Sequence, residues 1–87
     1  MIKETEIAIV NAVSKAVQLM NNEEDILPEK IIQGVMTSLK AQPQVKIQAI
    51  AAVNNAIKLK RQNPNLSDKQ IVQASVSAHT KKLSENS

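Results

Sequence analysis

Residues 46–59, KIQAIAAVNNAIKL, repeat a pattern that the chain has already used at residues 6–19, EIAIVNAVSKAVQL. An ungapped shift that places Lys46 on Glu6 aligns the two stretches, and we call this shift the repeat register. The identical positions are the pairs Ile7/Ile47, Ala12/Ala52, Val13/Val53, Ala16/Ala56 and Leu19/Leu59, and the same register continues through Ile31/Ile71 and Gln33/Gln73. An internal repeat of this length indicates two related supersecondary units.

Both stretches have the spacing of amphipathic helices, with apolar residues recurring every three or four positions. The chain has a single glycine and no run of alternating polar and apolar residues, so strands and hairpins of strands are not predicted. The 87 residues therefore predict one all-α, four-helix domain made of two tandem, sequence-related helical hairpins with a pseudo-two-fold relation. The first hairpin covers about 4–41, the second about 44–83, and a disordered polar tail 84–87.

The second repeat carries a clear signal for a helix start. Ser67 at the N-cap position, with Gln70 three residues later, forms the sequence pattern of a capping box. At the same place in the first repeat, Leu27 precedes Pro28, which suits the first helical position but leaves the cap without a side-chain acceptor. We expect the first of these helices to fray more, or Asp25 to cap a helix that begins slightly earlier.

Small residues predict where helices approach each other closely. The apolar stripe of the second helix continues to Leu39 and predicts that this helix ends at about Lys40. Glycine costs a helix about 1 kcal/mol relative to alanine, so Gly34, inside this helix, indicates a tight helix–helix contact. The third helix is rich in alanine, which also permits close packing. We expect the first and third helices to form the central pair; the alanines of the third are Ala49, Ala51, Ala52 and Ala56.

The composition limits stability and location. The chain lacks Phe, Trp, Tyr and Cys, so its core is aliphatic and no disulfide supports it. Small aliphatic cores leave a thin margin of stability, which makes homo-oligomerisation an expectation. Glu4 and Glu6 stand where a signal peptide needs positive charge, and Asn11 and Ser14 interrupt the apolar run, so we expect neither a signal peptide nor a membrane span. A cytoplasmic protein is the default expectation.

The two halves differ in charge although they share an apolar pattern. Residues 1–43 carry four lysines against six carboxylates, a net charge of −2. Residues 44–87 carry seven basic groups against two carboxylates, a net charge of +5. This divergence indicates that the repeats face different partners, or each other.

No group of residues predicts catalysis, a cofactor or a metal site. His79 is the only histidine, and without cysteine it cannot assemble a zinc site alone; a partly exposed histidine near a helix C-terminus is the simpler interpretation. The loop of the second repeat also does not match a calcium-binding loop, because Asp68 and Ala74 replace the glycine and glutamate that such a loop requires. Nucleophile–base pairs, glycine-rich phosphate loops and paired catalytic carboxylates are missing, so we predict that the protein is not an enzyme.

The first functional hypothesis is a non-enzymatic interaction or regulatory module that binds a protein partner or itself. Ile7 and Ile47 both fall on the otherwise polar side of their helices, so they either touch the flanking hairpin or mark an exposed patch. As an exposed patch they are the first candidate contacts of this module. Ser75 and His79 are the others, since they replace Val35 and Leu39 of the first repeat and weaken the apolar stripe of the fourth helix.

The alternative hypothesis is a nucleic-acid-binding accessory protein that uses the basic C-terminal half. No aromatic residue offers a stacking platform for single strands, and the link at 62–67 is longer than a helix-turn-helix turn. Basic residues at a helix C-terminus also stabilise the helix dipole without any partner. The candidate phosphate contacts are Lys58, Lys60, Arg61, Lys69, Lys81 and Lys82.

Overall fold

The computed structural model consists of four α-helices, which confirms the predicted all-α, four-helix class. It describes the backbone of residues 2–85 and the side chains of residues 5–78, and it contains no strand in that backbone. The helices are Ile2–Asn22 (α1), Pro28–Ser38 (α2), Pro43–Gln62 (α3) and Asp68–Glu85 (α4).

Helices α1 and α3 form the centre of the bundle, as predicted, and share its most extensive contact. Their inward faces bury aliphatic side chains at positions that the repeat register aligns. Removing such side chains from water is the main force that holds the helices together. The buried pairs are Ile9/Ala49, Ala12/Ala52, Val13/Val53, Ala16/Ala56 and Val17/Ile57.

Helices α2 and α4 flank this central pair unequally. Helix α4 packs on both α1 and α3 to a similar extent, whereas α2 packs mainly on α1 and little on α3. Within the described residues α2 and α4 do not contact each other. Helix α2 is also the shorter of the two, with 11 residues against 18 in α4.

The two hairpin loops are closed by the same backbone hydrogen bonds. The amide of Glu23 donates to the carbonyl of Leu19 at 3.1 Å, and at the equivalent place in the second hairpin Asn63 donates to Leu59 at 2.8 Å. Further bonds recur in the repeat register: Ile26 to Glu23 and Leu66 to Asn63, then Ile31 to Leu27 and Ile71 to Ser67. The two loops therefore follow similar backbone paths.

The helix starts after these loops differ as predicted. Ser67 and Gln70 form a reciprocal capping box, in which Ser67 Oγ accepts from the Gln70 amide at 3.2 Å and Gln70 Oε1 accepts from the Ser67 amide at 2.9 Å. In the first hairpin Leu27 is the N-cap residue and makes no side-chain cap bond. Helix α2 begins at Pro28, so the alternative start capped by Asp25 is not used.

Gly34 marks the close contact between α1 and α2 that the sequence predicted. A methyl group added at this position would lie 2.9 Å from Leu19 Cδ1, which is closer than the normal contact distance between two carbon atoms. Alanine here therefore requires the end of the Leu19 side chain to move.

Two helix ends differ from the predicted boundaries. Helix α2 ends at Ser38 instead of Lys40, because Leu39 adopts extended backbone angles while its amide donates the last helical bond to Val35. Helix α4 extends through Glu85, so Ser84 and Glu85 belong to it and not to the predicted tail. The remaining predicted tail residues, 86 and 87, lie outside the described residues.

Candidate interaction surfaces

Two isoleucines that the sequence selected lie at the surface. Ile7 on α1 is 61% exposed and Ile47 on α3 is 68% exposed. By contrast, Ile9, Ile31 and Ile71 are almost completely buried. Full burial of an isoleucine side chain contributes about 1.5–3 kcal/mol, so each exposed isoleucine forgoes much of that stabilisation in the isolated chain.

Ile7 borders an apolar groove between α1 and α4. Val10, one turn further along α1, and Val76 of α4 are partly buried beside it. Glu6 and Asn11 supply the polar rim. We call these five residues, Glu6, Ile7, Val10, Asn11 and Val76, the Ile7 groove.

A second groove follows the same pair of helices towards the hairpin loops. Its lining is more polar, because it contains the side chains of Asn21, Asp68 and Lys69 in addition to Val17 and Val72. The surface between α1 and α4 is thus apolar near Ile7 and polar near the start of α4.

Ile47 occupies the position equivalent to Ile7, but the neighbouring charge is reversed. Glu6 precedes Ile7, whereas Lys46 precedes Ile47, and both charged residues are partly buried. The difference follows the contrast between the acidic first half and the basic second half of the chain.

Ser75 was predicted to be an interaction contact, but it does not lie on the surface. It is completely buried at the position equivalent to Val35, and its hydroxyl has no hydrogen-bond partner within the described residues. The sequence showed that a polar residue replaces an apolar one there, but not that the residue stays in the core. The side chain of His79, the other candidate on α4, lies outside the described residues.

The candidate phosphate contacts are divided between different environments. Lys60 Nζ lies 3.9 Å from Asp68 Oδ1, and Arg61 Nη2 donates to the backbone carbonyl of Ile26 at 3.0 Å. Lys58 and Lys69 are exposed. The side chains of Lys81 and Lys82 lie outside the described residues. Lys60 therefore bridges two helices within the second hairpin, and Arg61 connects the two hairpins.

Charges from the two halves meet at the end of the bundle where both hairpin loops lie. Glu24 and Asp25 from the acidic loop share a groove with Lys60 and Arg61 from the end of α3. Asp68, at the start of α4, also accepts a 2.8 Å hydrogen bond from Asn21 Nδ2. At this end the repeats face each other, which is one of the two interpretations of their opposite charge.

Two residues at this end of the bundle, Leu27 and Asp68, were not predicted from the sequence. Leu27, the N-cap residue of α2, is 58% exposed. An apolar residue at a position that favours a capping side chain was the signal in the sequence. Asp68 connects α1, α3 and α4, and no local pattern reveals that role, because the contact with Asn21 joins residues that are distant in sequence.

The described side chains include no group of three or more His, Cys, Asp or Glu residues placed to hold a metal ion. None of the four helices, as far as their residues are described, combines the length and apolarity needed to cross a membrane. No protein-family model matches the chain, and no curated protein or solved structure matches it.

Proposed function

We propose that this chain is a non-enzymatic interaction or regulatory module that binds a protein partner through the surfaces around Ile7 and Ile47. The observation that carries the proposal is the exposure of both isoleucines, 61% and 68%, at equivalent positions of α1 and α3. Single exposed apolar residues are common. Here, however, the exposure occurs twice in the same register, and Ile7 borders a groove with two valines.

We also propose that the two hairpins are copies of one unit related by a pseudo-two-fold axis. The buried pairs of α1 and α3 and the matching loop hydrogen bonds, all in the repeat register, support this relation. The copies then present related surfaces at Ile7 and Ile47 that differ in the adjacent charge, Glu6 against Lys46.

Capture from native lysate with the tagged full-length chain tests the interaction. Ile7→Lys and Ile47→Lys should each reduce capture of a protein partner, because a charge on an apolar contact must be desolvated. Gln33→Lys is a matched control, since it adds the same charge at an exposed position on α2. Retention of every captured protein by the Ile7→Lys/Ile47→Lys double variant would exclude this surface.

Nucleic-acid binding is the second candidate, and the net charge of +5 on residues 44–87 is the observation in its favour. Lys60 and Arg61 have partners within the chain, so reversing them would also disturb the fold. Lys58→Glu combined with Lys69→Glu is the cleaner test, because both lysines are exposed. Binding of duplex DNA should fall steeply between about 50 and 200 mM salt and be lost in that variant. If the unaltered chain retains no duplex at low salt, this candidate is excluded.

A further inference from the structure

We infer that the partner of the Ile7 groove is a second copy of this chain, which inserts Ile47 into the groove in a head-to-tail contact. The inference rests on the proposed function and names its partner. Ile7 and Ile47 would then take part in one interface from opposite sides.

The charges beside the two isoleucines fit this arrangement. Glu6 lines the groove that contains Ile7, and Lys46 adjoins Ile47. Bringing Ile47 of one copy to the groove of another places Lys46 near Glu6. Contact between two identical Ile7 grooves would instead oppose two glutamates, and contact between two Ile47 surfaces would oppose two lysines.

Both surfaces also offer apolar area for this contact. Ile47 is 68% exposed on α3, so most of its side chain is available to a neighbour. The Ile7 groove offers apolar contact from Val10 on one helix and Val76 on another. An aliphatic side chain entering such a groove removes apolar surface from water on both copies.

The contact is heterologous, so each copy keeps one unused surface after pairing. Repetition of the contact closes a ring if the rotation allows it and otherwise extends an open chain. The mass of the unaltered protein in solution should therefore increase with concentration beyond that of a dimer, unless a ring closes first.

Sedimentation velocity of two single variants, alone and mixed, tests the inference. Ile7→Lys removes the groove and leaves Ile47, whereas Ile47→Lys removes the inserted side chain and leaves the groove. Each variant alone should be monomeric from about 10 μM to 1 mM, while an equimolar mixture should form a dimer and nothing larger. Both substitutions fall on exposed positions, and circular dichroism should confirm unchanged helix content.

Other results would overturn the inference. Dimerisation of Ile47→Lys alone would indicate groove-to-groove pairing, and dimerisation of Ile7→Lys alone would indicate pairing of Ile47 surfaces. A mixture that stays monomeric, or an unaltered chain that is monomeric at all concentrations, would also contradict it. That last result leaves the broader proposal intact if Ile7→Lys still loses a captured partner, so the two failures are distinguishable.

A charge-reversal pair provides an independent test. Glu6→Lys and Lys46→Glu should each weaken association of the otherwise unaltered chain about two- to fivefold, because a partly exposed ion pair contributes little. Mixing Glu6→Lys/Ile47→Lys with Lys46→Glu/Ile7→Lys leaves a single contact with the charges exchanged, and its affinity should match that of the mixture without charge reversal. Loss of association in this mixture would show that Glu6 and Lys46 do not meet.

Discussion

Ser75 provides the sharpest test of the packing in the core. Its side chain is fully buried, and its hydroxyl has no partner among the described residues. A buried hydroxyl without a hydrogen bond destabilises the folded state by about 1–3 kcal/mol. Replacing Ser75 with alanine removes this penalty and adds about 0.5 kcal/mol of helix propensity. The small void left by the oxygen offsets part of the gain through lost dispersion contacts.

Ser75→Ala should therefore stabilise the protein by about 1–2 kcal/mol. The measurement is the free energy of unfolding from urea titration followed by circular dichroism. For a domain of this size, the melting temperature should rise by about 4–8 °C for each kcal/mol. An unchanged slope of free energy against urea would show that the change acts on stability and not on the compactness of the unfolded state.

The converse substitution in the first hairpin serves as the matched control. Val35 is buried at the position equivalent to Ser75, so Val35→Ser creates the same uncompensated hydroxyl and also removes apolar contacts. It should destabilise the protein by about 2.5–4.5 kcal/mol, from about 1.5 kcal/mol of lost transfer energy and about 1–3 kcal/mol for the hydroxyl. If Ser75→Ala instead destabilises the protein by the worth of a typical hydrogen bond, about 1 kcal/mol, the Ser75 hydroxyl is bonded and the reasoning is refuted.

Three further sets of substitutions test local features of the fold. Gly34→Ala should leave the free energy of unfolding nearly unchanged, because a gain of about 1 kcal/mol in helix propensity is offset by displacement of the Leu19 side chain. In a Leu19→Ala background the same substitution should stabilise the protein by about 1 kcal/mol. Additive effects in this double-mutant cycle would contradict the close contact. Leu27→Ser should stabilise the protein by about 1 kcal/mol, because it supplies the missing N-cap of α2, and Ser67→Ala should destabilise it by a similar amount through loss of the cap of α4. Urea unfolding measures both changes, and equal, small effects would show that neither cap contributes to stability. Arg61→Met should destabilise by about 0.5–1.5 kcal/mol and speed amide exchange in the first loop, because the loop loses the hydrogen bond to its carbonyl; unchanged exchange would exclude that role.

The parts of the fold that were predictable from sequence are those set by local pattern. The repeat supplied each helix signal twice, so the capping box at Ser67 clarified the weaker start at Pro28. The close contact at Gly34 was predictable because glycine inside a helix is unfavourable unless another side chain occupies the space, and the Leu19 side chain does so. The place of Ile7 and Ile47 on the polar side of their helices allowed either contact with the flanking hairpin or exposure, and the structure shows exposure.

The parts that were not predictable depend on how the hairpins pack. The contacts of Asp68 with Asn21 and Lys60 join residues on three helices, and only the packing of the two hairpins brings them together. Ser75 replaces Val35 in the apolar stripe and was predicted to be an interaction contact because it is polar, yet the packing of α4 keeps it in the core. The end of α2 was misplaced because the apolar stripe continues to Leu39, whereas the backbone there is already extended.

The buried alanines of the central helices have a consequence for how this sequence can change. Five of them, at positions 12, 16, 49, 52 and 56, are almost fully buried on the two helices that share the largest contact. A larger side chain at any of them would have to push packed helices apart, at a typical cost of about 1–3 kcal/mol. In a saturation library selected for folding, these small residues should tolerate fewer replacements than the larger Ile and Val residues around them. The mutational freedom of this protein is then lowest where its side chains are smallest.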